Sequence, residues 1–393
     1  MITEMLERIT IMGMLIENSG KNLTFTDLRS NLETLRNSRV DVIVQSGKLA
    51  CLTPGALQTP YIGDAITSLG VGLPAREWEL TPHAFRQWCS KMRVPTTYLA
   101  NLADWASPVQ FTELSRSIMD VHNTVEDKPL LLRCLMDTEQ DEYICRAILS
   151  PSYSFIENFD VLTAVFDGLR IVRDEHGIGF EPGPASISDT HMRARVNMPQ
   201  LNMAAEALLK DYTSPWTGKS GTDNPIVFMG IEIRNSEVGG AAFSLVPVVI
   251  IQVCNNGMTL TKDIFRKVHL GSPMEMGHVS KRTMTATMEL ITAQTVDKVV
   301  EIGNPEFLKA KVAEFMELKQ PVQATVVHDY LKQAFDNERA DQIFDDFISG
   351  GDTTAFGVAQ AITSHSQGEL ITPDTALELD DAALNHAMIL AGK

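Results

Sequence analysis

Cysteine is scarce in this chain, and what there is does not pair. Cys51, Cys89, Cys134, Cys145 and Cys254 are five in 393 residues, each standing alone, with no Cys-x-x-Cys or His-x-x-x-His spacing. That pattern excludes a disulfide framework and gives a structural zinc site no support; free thiols in a reducing cytosol are the simplest reading. Aromatic residues make up only 7%, so stacked bases would find few platforms. Long apolar runs are missing too. The charge-free stretch Val238–Thr261 contains Gly239, Gly240, Ser244, Pro247, Gln252, Asn255 and Asn256, and its dense apolar part covers only Leu245–Cys254. A membrane span needs about 20 mostly apolar residues. The stretch is therefore expected to be a buried core element, and no membrane partner is expected. The opening Met1-Ile-Thr-Glu-Met-Leu-Glu-Arg8 is acidic where a secretory signal is basic, so the expected location is the cytoplasm.

Positive charge is the other shortage. Lys and Arg number 33 against 50 Asp and Glu, a formal charge of −17. Taken whole, this argues against a polyanion as partner. The distribution changes that. From Asp336 to Lys393 eleven acids face only Arg339 and Lys393, a local −9, which leaves −8 for the preceding 335 residues. One window reverses sign: Lys262, Arg266, Lys267, Lys281 and Arg282 outnumber Asp263 and Glu275, a net of +3, with His269 and His278 besides. A basic strip followed by an acidic end suits a protein that handles single-stranded DNA. A solvated face followed by an acidic helical end explains the same charges.

What is present in quantity is ordinary core material, 44% apolar with 21% charged residues, enough for two or three structural units. Met5, Ile9, Met12 and Leu15-Ile16 recur at helical spacing, and a second helical run follows Thr26. Val40–Val44, a Gly47 turn and Leu49–Leu52 read as a hairpin, and residues 53–75 as a loop-dominated connection. Thr81 and Pro82 read as N-cap and first position of a helix. A second short helix from Val94 makes a helical hairpin rather than a DNA-reading pair, because Thr96, Thr97 and Asn101 bring no Arg or Lys. Leu130–Leu135, Tyr143–Leu149, Ser186–Val196 and Ile226–Ile233 are strand-like, Asn158–Arg170 is an amphipathic helix, and 283–317 and 325–348 are helical. The expected fold is α+β: a curved antiparallel sheet packed with helices, with a helical C-terminal part. The expected divisions are residues 1–78 (helices and hairpin), 79–282 (α+β core) and 283–393 (helical, acidic at its end).

Motifs for catalysis are lacking. Gly218-Lys-Ser-Gly has Thr213 where a phosphate-cradling loop needs glycine, and Gly70-Val-Gly72 lacks the third glycine of a dinucleotide site. Cys254 ends an apolar run and reads as a buried, inert thiol. No carboxylate pair stands isolated for acid–base work. Neither an enzyme, a cofactor nor a metal is expected.

The distinctive segment is Ile233-Arg-Asn-Ser-Glu-Val-Gly-Gly-Ala-Ala-Phe-Ser-Leu245, followed by Ile251-Gln-Val-Cys-Asn-Asn-Gly-Met258. Asn235, Ser236 and Glu237 read as a strand end able to cap a neighbour, Gly239 and Gly240 as a turn or a close approach, and Asn256-Gly257 as a turn. The Asn-Ser-Glu-x-Gly stretch, the motif around Cys254, Asn256 and Gly257, and Lys267-x-His269 resemble a bacteriophage and plasmid family known only as domain of unknown function 932. Leu80-Thr81 with Val94-Pro95 and Tyr98 resembles that family's early helices, Arg146–Val161 its Leu-Ser-Asp-Arg-Tyr segment, and Val358–His365 its final helix. The similarity spans roughly residues 40–390. Ser152 stands where the family usually has Arg, and Glu157 where it usually has Asp; if that Arg meets a phosphate in relatives, this chain uses something else.

The resemblance implies a role in DNA replication, recombination or conflict with the host, inside a bacterial cell. The element order also resembles that of phage single-strand annealing proteins, which form oligomeric rings. The expected function is non-enzymatic single-stranded DNA binding or annealing by a homo-oligomer. The expected phosphate contacts are Arg193, Arg195, Lys262, Arg266, Lys267, His269, Lys281 and Arg282. The alternatives are an acidic protein that binds a protein partner through its C-terminal segment, imitating DNA charge, and a virion or assembly component.

Overall fold

Strand periodicity and capping chemistry set the elements of the computed structural model, which describes residues 20–59, 75–126, 128–137, 142–153, 156–254, 256–260, 265–267 and 281–392. The expected helix over Met5–Ile16 lies outside these residues. After β1 (Gly20–Leu23), a capping box between Thr24 and Asp27 starts α1 (Phe25–Ser38). Then come β2 (Arg39–Gln45), β3 (Ala50–Thr53), β4 (Ala56–Thr59) and β5 (Arg76–Leu80). Thr81 accepts from the Ala84 amide and Pro82 fills the first turn of α2 (Pro82–Lys91), as the sequence predicts. Helices α3 (Thr96–Trp105) and α4 (Pro108–Glu126) precede the hairpin of β6 (Pro129–Asp137) and β7 (Glu142–Leu149). Next are α5 (Asn158–His176), β8 (Glu181–Ile187), β9 (Met192–Ala204), the short α6 (Glu206–Leu209), β10 (Ile226–Asn235), β11 (Phe243–Ile251), β12 (Asn256–Thr259) and β13 (Phe265–Lys267). Six helices close the chain: α7 (Lys281–Ile302), α8 (Pro305–Met316), α9 (Ala324–Ala334), α10 (Asn337–Gly350), α11 (Ala355–His365) and α12 (Pro373–Leu390). The protein is α+β with a curled antiparallel sheet and a helical C-terminal part, but it carries a second sheet that the sequence reading merged with the first.

The first sheet has the order β2-β6-β7-β5-β4-β3, antiparallel except where β5 runs parallel to β7. Its two edges, β2 and β3, are joined only by residues 46–49. Five Cα steps reach at most about 18 Å, whereas six flat strands would hold their edges about 24 Å apart. The sheet must curl. Its concave side is filled by Trp78, Trp88, Phe85, Leu57, Leu99 and Phe111, brought in largely by α2, α3 and α4. The expected hairpin of residues 40–52 is thus corrected: β2 pairs over its whole length with β6, and the hairpin is β3 with β4. Val40, Val42 and Val44 line the buried face of β2, and the equally apolar β6 is the partner that completes it. Ala56–Thr59, expected as loop, is a strand for the same reason. The expected division at 78/79 falls inside β5, and that at 282/283 inside the first turn of α7.

The second sheet is antiparallel throughout, in the order β1-β8-β9-β10-β11, with β12 and then β13 along the outer side of β11. The charge-free stretch contains β11, every residue of which is buried. Alternation gives the sheet two unlike faces. Ala194, Val196, Ile231, Ile233, Leu245 and Val249 join the main core with α5 and α7. The opposite face carries Arg193, Arg195, Glu232, Arg234 and Ser244, and α12 docks there, with the Thr259 hydroxyl donating to the Asp380 carbonyl at 2.7 Å. No helix among the described residues is long and apolar enough to cross a membrane.

Candidate functional site

The Asn-Ser-Glu segment leaves the end of β10 and does cap a neighbour. The Asn158 amide, at the start of α5, donates to Glu237 Oε1 at 2.7 Å. Asn235 Nδ2 donates to the Ile156 carbonyl at 2.7 Å and to Asn158 Oδ1 at 2.8 Å. Ser236 Oγ accepts from the Gly240 amide at 2.9 Å, closing a turn in which Gly239 takes φ +80°. The other Glu237 oxygen lies 3.3 Å from Arg146 Nη1 and 3.8 Å from Arg133 Nη2 on the first sheet. Glu157 joins the same cluster, 2.6 Å from Arg133 and bonded to Arg39. Burial pushes the Glu157 carboxyl up, but Arg133 and Arg39 outweigh it and hold it at about 2. Burial and the neighbouring Glu157 charge instead raise Glu237. This cluster fastens the two sheets and α5 to one another. Ser152 is exposed in the turn before α5, its hydroxyl 2.8 Å from that of Ser150.

The second charged centre lies on the polar face of the second sheet. Glu232, 0% exposed, meets Arg193 Nε and Arg234 Nε at 2.6 Å each and Arg195 Nη2 at 3.6 Å. From α12, Asp380 pairs with Arg193, and Asp381 with Arg234 at 2.7 Å. Burial opposes the Glu232 charge, yet Arg193, Arg234 and Arg195 hold its carboxyl at about 2. The expectation that Arg193 and Arg195 meet DNA phosphates is therefore corrected: both lie beneath α12 beside carboxylates, Arg195 buried and Arg193 with 13% of its side chain exposed. Gly257 is also reassigned. It pairs with Ile250 inside β12 rather than turning the chain, and a Cβ there would stand 2.5 Å from Arg195 Nη2. Asn256 lies in the same strand, and Cys254 is buried just before it, as expected of an inert thiol.

Between the sheet and α12 is a cavity of about 120 Å³ whose lining includes Lys21, Arg193, Arg195, Glu232, Ser366 and Asp380. Lys21 Nζ donates to the Ser366 carbonyl at 2.6 Å and the Gly368 carbonyl at 2.9 Å. Burial lowers Lys21 to about 8, in spite of Asp380. Nearby, Asp374 accepts from the hydroxyls of Ser188 at 2.6 Å and Thr190 at 2.7 Å, and its Oδ1 stands 3.0 Å from His191 Nδ1. Burial acts upward on Asp374, but these bonds hold it at about 2. Asp352 pairs with Lys319 at 3.0 Å. The C-terminal acids thus divide: Asp352, Asp374, Asp380 and Asp381 turn inward to cations and hydroxyls.

The basic window sits elsewhere. In β13, Arg266 pairs with Ser244, which pairs across β10 with Arg234 and on with Arg193, so one cross-strand row runs from the buried centre to the margin of the sheet. Lys267 pairs with Phe243. Lys281 opens α7, and Arg282 is exposed in its first turn. Lys262 and His269 lie outside the described residues. Sequence reasoning missed Lys21, Glu232, Arg234 and the inward acids. The alternations Arg193-x-Arg195 and Glu232-x-Arg234 carried the signal for a shared face. Among the described residues, no group of three or more His, Cys, Asp or Glu is placed to hold a metal ion.

Compared with family models, the chain matches none. No curated protein and no solved structure matches it either.

Proposed function

We propose that this chain is a non-enzymatic, oligomeric protein that binds and anneals single-stranded DNA during phage or plasmid recombination or replication, within the bacterial cytoplasm. The observation that carries the reading is the placement of Arg266 and Lys267 on β13, at the margin of the second sheet, inside the net +3 window that continues to Arg282. A cationic margin tracks phosphates without reading bases, which gives sequence-tolerant, salt-sensitive binding. The sheet arginines act differently in this reading: Arg193 and Arg234 are balanced by Glu232, Asp380 and Asp381, and they hold α12 in place. Four C-terminal acids are engaged inside the fold, which leaves fewer for a protein partner by charge imitation.

The test is fluorescence anisotropy of a labelled single-stranded oligonucleotide at several salt concentrations, with the full chain and the R266Q/K267Q variant. Each phosphate contact to a single strand adds about 0.7 to the slope of log affinity against log salt. The double variant is expected to bind more weakly and to flatten the slope by about 1.4. No binding at low salt, or an unchanged slope, would sink the proposal.

A further inference from the structure

Three Phe, Tyr or Trp rings among the described residues are exposed, Tyr98, Trp105 and Trp216, and two of them share one helix. Tyr98 is 52% and Trp105 71% exposed. Seven residues apart on α3, they stand on the same side of the helix, about 10.5 Å from each other along its axis. Leu99 and Leu102 turn into the core of the first sheet and fix the helix there. We propose that this face of α3 is a base-stacking platform for a single DNA strand. It rests on the single-stranded partner proposed above, but it is a second site, on the helices of the first sheet rather than on β13.

Leaving such rings in water forfeits the gain of burying them, and an exposed aromatic face is available to a partner. The surrounding charge says which partner. In a chain of net −17, the run from Leu80 to Ala103 carries Arg86, Lys91 and Arg93 and no carboxylate; Glu79 precedes it and Asp104 follows. Arg86 is exposed on α2. The Val94 amide donates to the Cys89 carbonyl at 2.9 Å, which folds the start of α3 back on the end of α2 and places Tyr98 at the same end of the hairpin as Lys91. Burial lowers the Lys91 ammonium, and the neighbouring Lys128 charge lowers it further, so cations from α2 and from the approach to β6 meet here. Cations for phosphates beside rings for bases are the two parts of a sequence-tolerant single-strand site. The lack of groove-reading side chains on α3 is no obstacle, because every base offers a flat face to an aromatic ring.

Tryptophan fluorescence of the full chain, titrated with oligothymidylate and with an abasic strand of equal length, tests the platform. Trp78 and Trp88 are fully buried, so a stacked base can quench only Trp105 or Trp216. The thymidylate strand is expected to quench and the abasic strand not. W105F is expected to lose the quench and keep the affinity, since phenylalanine still stacks, and W216F to keep both. W105A is expected to bind oligothymidylate about tenfold more weakly by anisotropy. Trp105 is exposed, so its replacement leaves the fold intact. The R266Q/K267Q variant is expected to retain the quench at saturation. A quench that survives W105F, or wild-type affinity in W105A, overturns the platform even where the salt slope supports β13. A quench lost in W105F beside a slope unchanged in R266Q/K267Q supports the platform and sinks the β13 reading. No binding of either strand at low salt overturns both. Self-association that W105A abolishes, without any quench by the strand, assigns this face to a second copy of the chain and also overturns the proposal.

Discussion

Replacing Glu232 by Gln removes one negative charge from the centre of three guanidinium groups while keeping nearly the same shape. Glu232 is fully buried and approaches Arg193 and Arg234 at 2.6 Å each. Its carboxyl is displaced from 4.5 in the unconstrained chain to about 2 in the fold. At about 1.4 kcal/mol per pH unit, that displacement corresponds to about 3–4 kcal/mol of stability. Breaking a buried ion pair by removing one partner typically costs about 3–5 kcal/mol, because the other charge is left uncompensated. The two routes agree. Set against a typical total of about 5–15 kcal/mol, the loss is large. Urea denaturation of wild type, E232Q and D381N measures it. D381N is the comparator because Asp381 is 38% exposed and pairs with only one of the same arginines, so its loss is expected to stay near 1 kcal/mol. The depressed carboxyl also sets a pH signature. Its contribution is complete above about pH 4.5 and is lost as the pH falls toward 2, so E232Q should lack that part of the wild-type acid sensitivity. A midpoint for E232Q no lower than that of D381N, or an identical pH profile, would refute the view that Glu232 anchors the polar face.

Two further outcomes follow from the same geometry. Asn235→Ala removes the donor to the Ile156 carbonyl and Asn158 Oδ1 at a buried site, with an expected loss of about 1–3 kcal/mol read by chemical denaturation. A chain ending at Gly350 lacks α11 and α12, uncovering the Arg193–Arg234 face and Phe315, whose ring loses its stacking partner Phe356 at 5.4 Å. It is expected to aggregate or lose its cooperative transition by circular dichroism, and a stable soluble truncation would show that α11 and α12 are not integral to the fold.

Local chemistry was legible where neighbours in sequence are neighbours in space. Thr81 with Pro82 starts a helix, Gly239 turns the chain with a positive φ, and the charge-free stretch yields the buried β11. Asn235 to Glu237 could be read as a cap because strand ends and polar side chains advertise one, although α5 lies far upstream. The β2–β3 hairpin was misread because proximity in sequence suggested a partner, whereas the apolar face of β2 is completed by β6. Arg193-x-Arg195 signals a common face but not what covers it. The covering carboxylates lie nearly two hundred residues downstream, in a segment whose acids read equally well as a solvated end. Charge counts along a chain carry no information about which charges meet.

The order of strands in the first sheet also has a consequence during synthesis. β2 is made early, but the strand that pairs with it follows only after residues 46–128. At 5–20 residues per second, those 83 residues take roughly 4–17 s to translate. Throughout that interval Val40, Val42 and Val44 form an apolar ribbon beside an unsatisfied backbone, the kind of edge that invites intermolecular pairing. Arg39 and Asp41 alternate with those valines and pair with each other at 3.4 Å in the finished fold. On the ribosome the same two charges would act as gatekeepers, keeping an unpartnered strand in solution until its neighbour emerges.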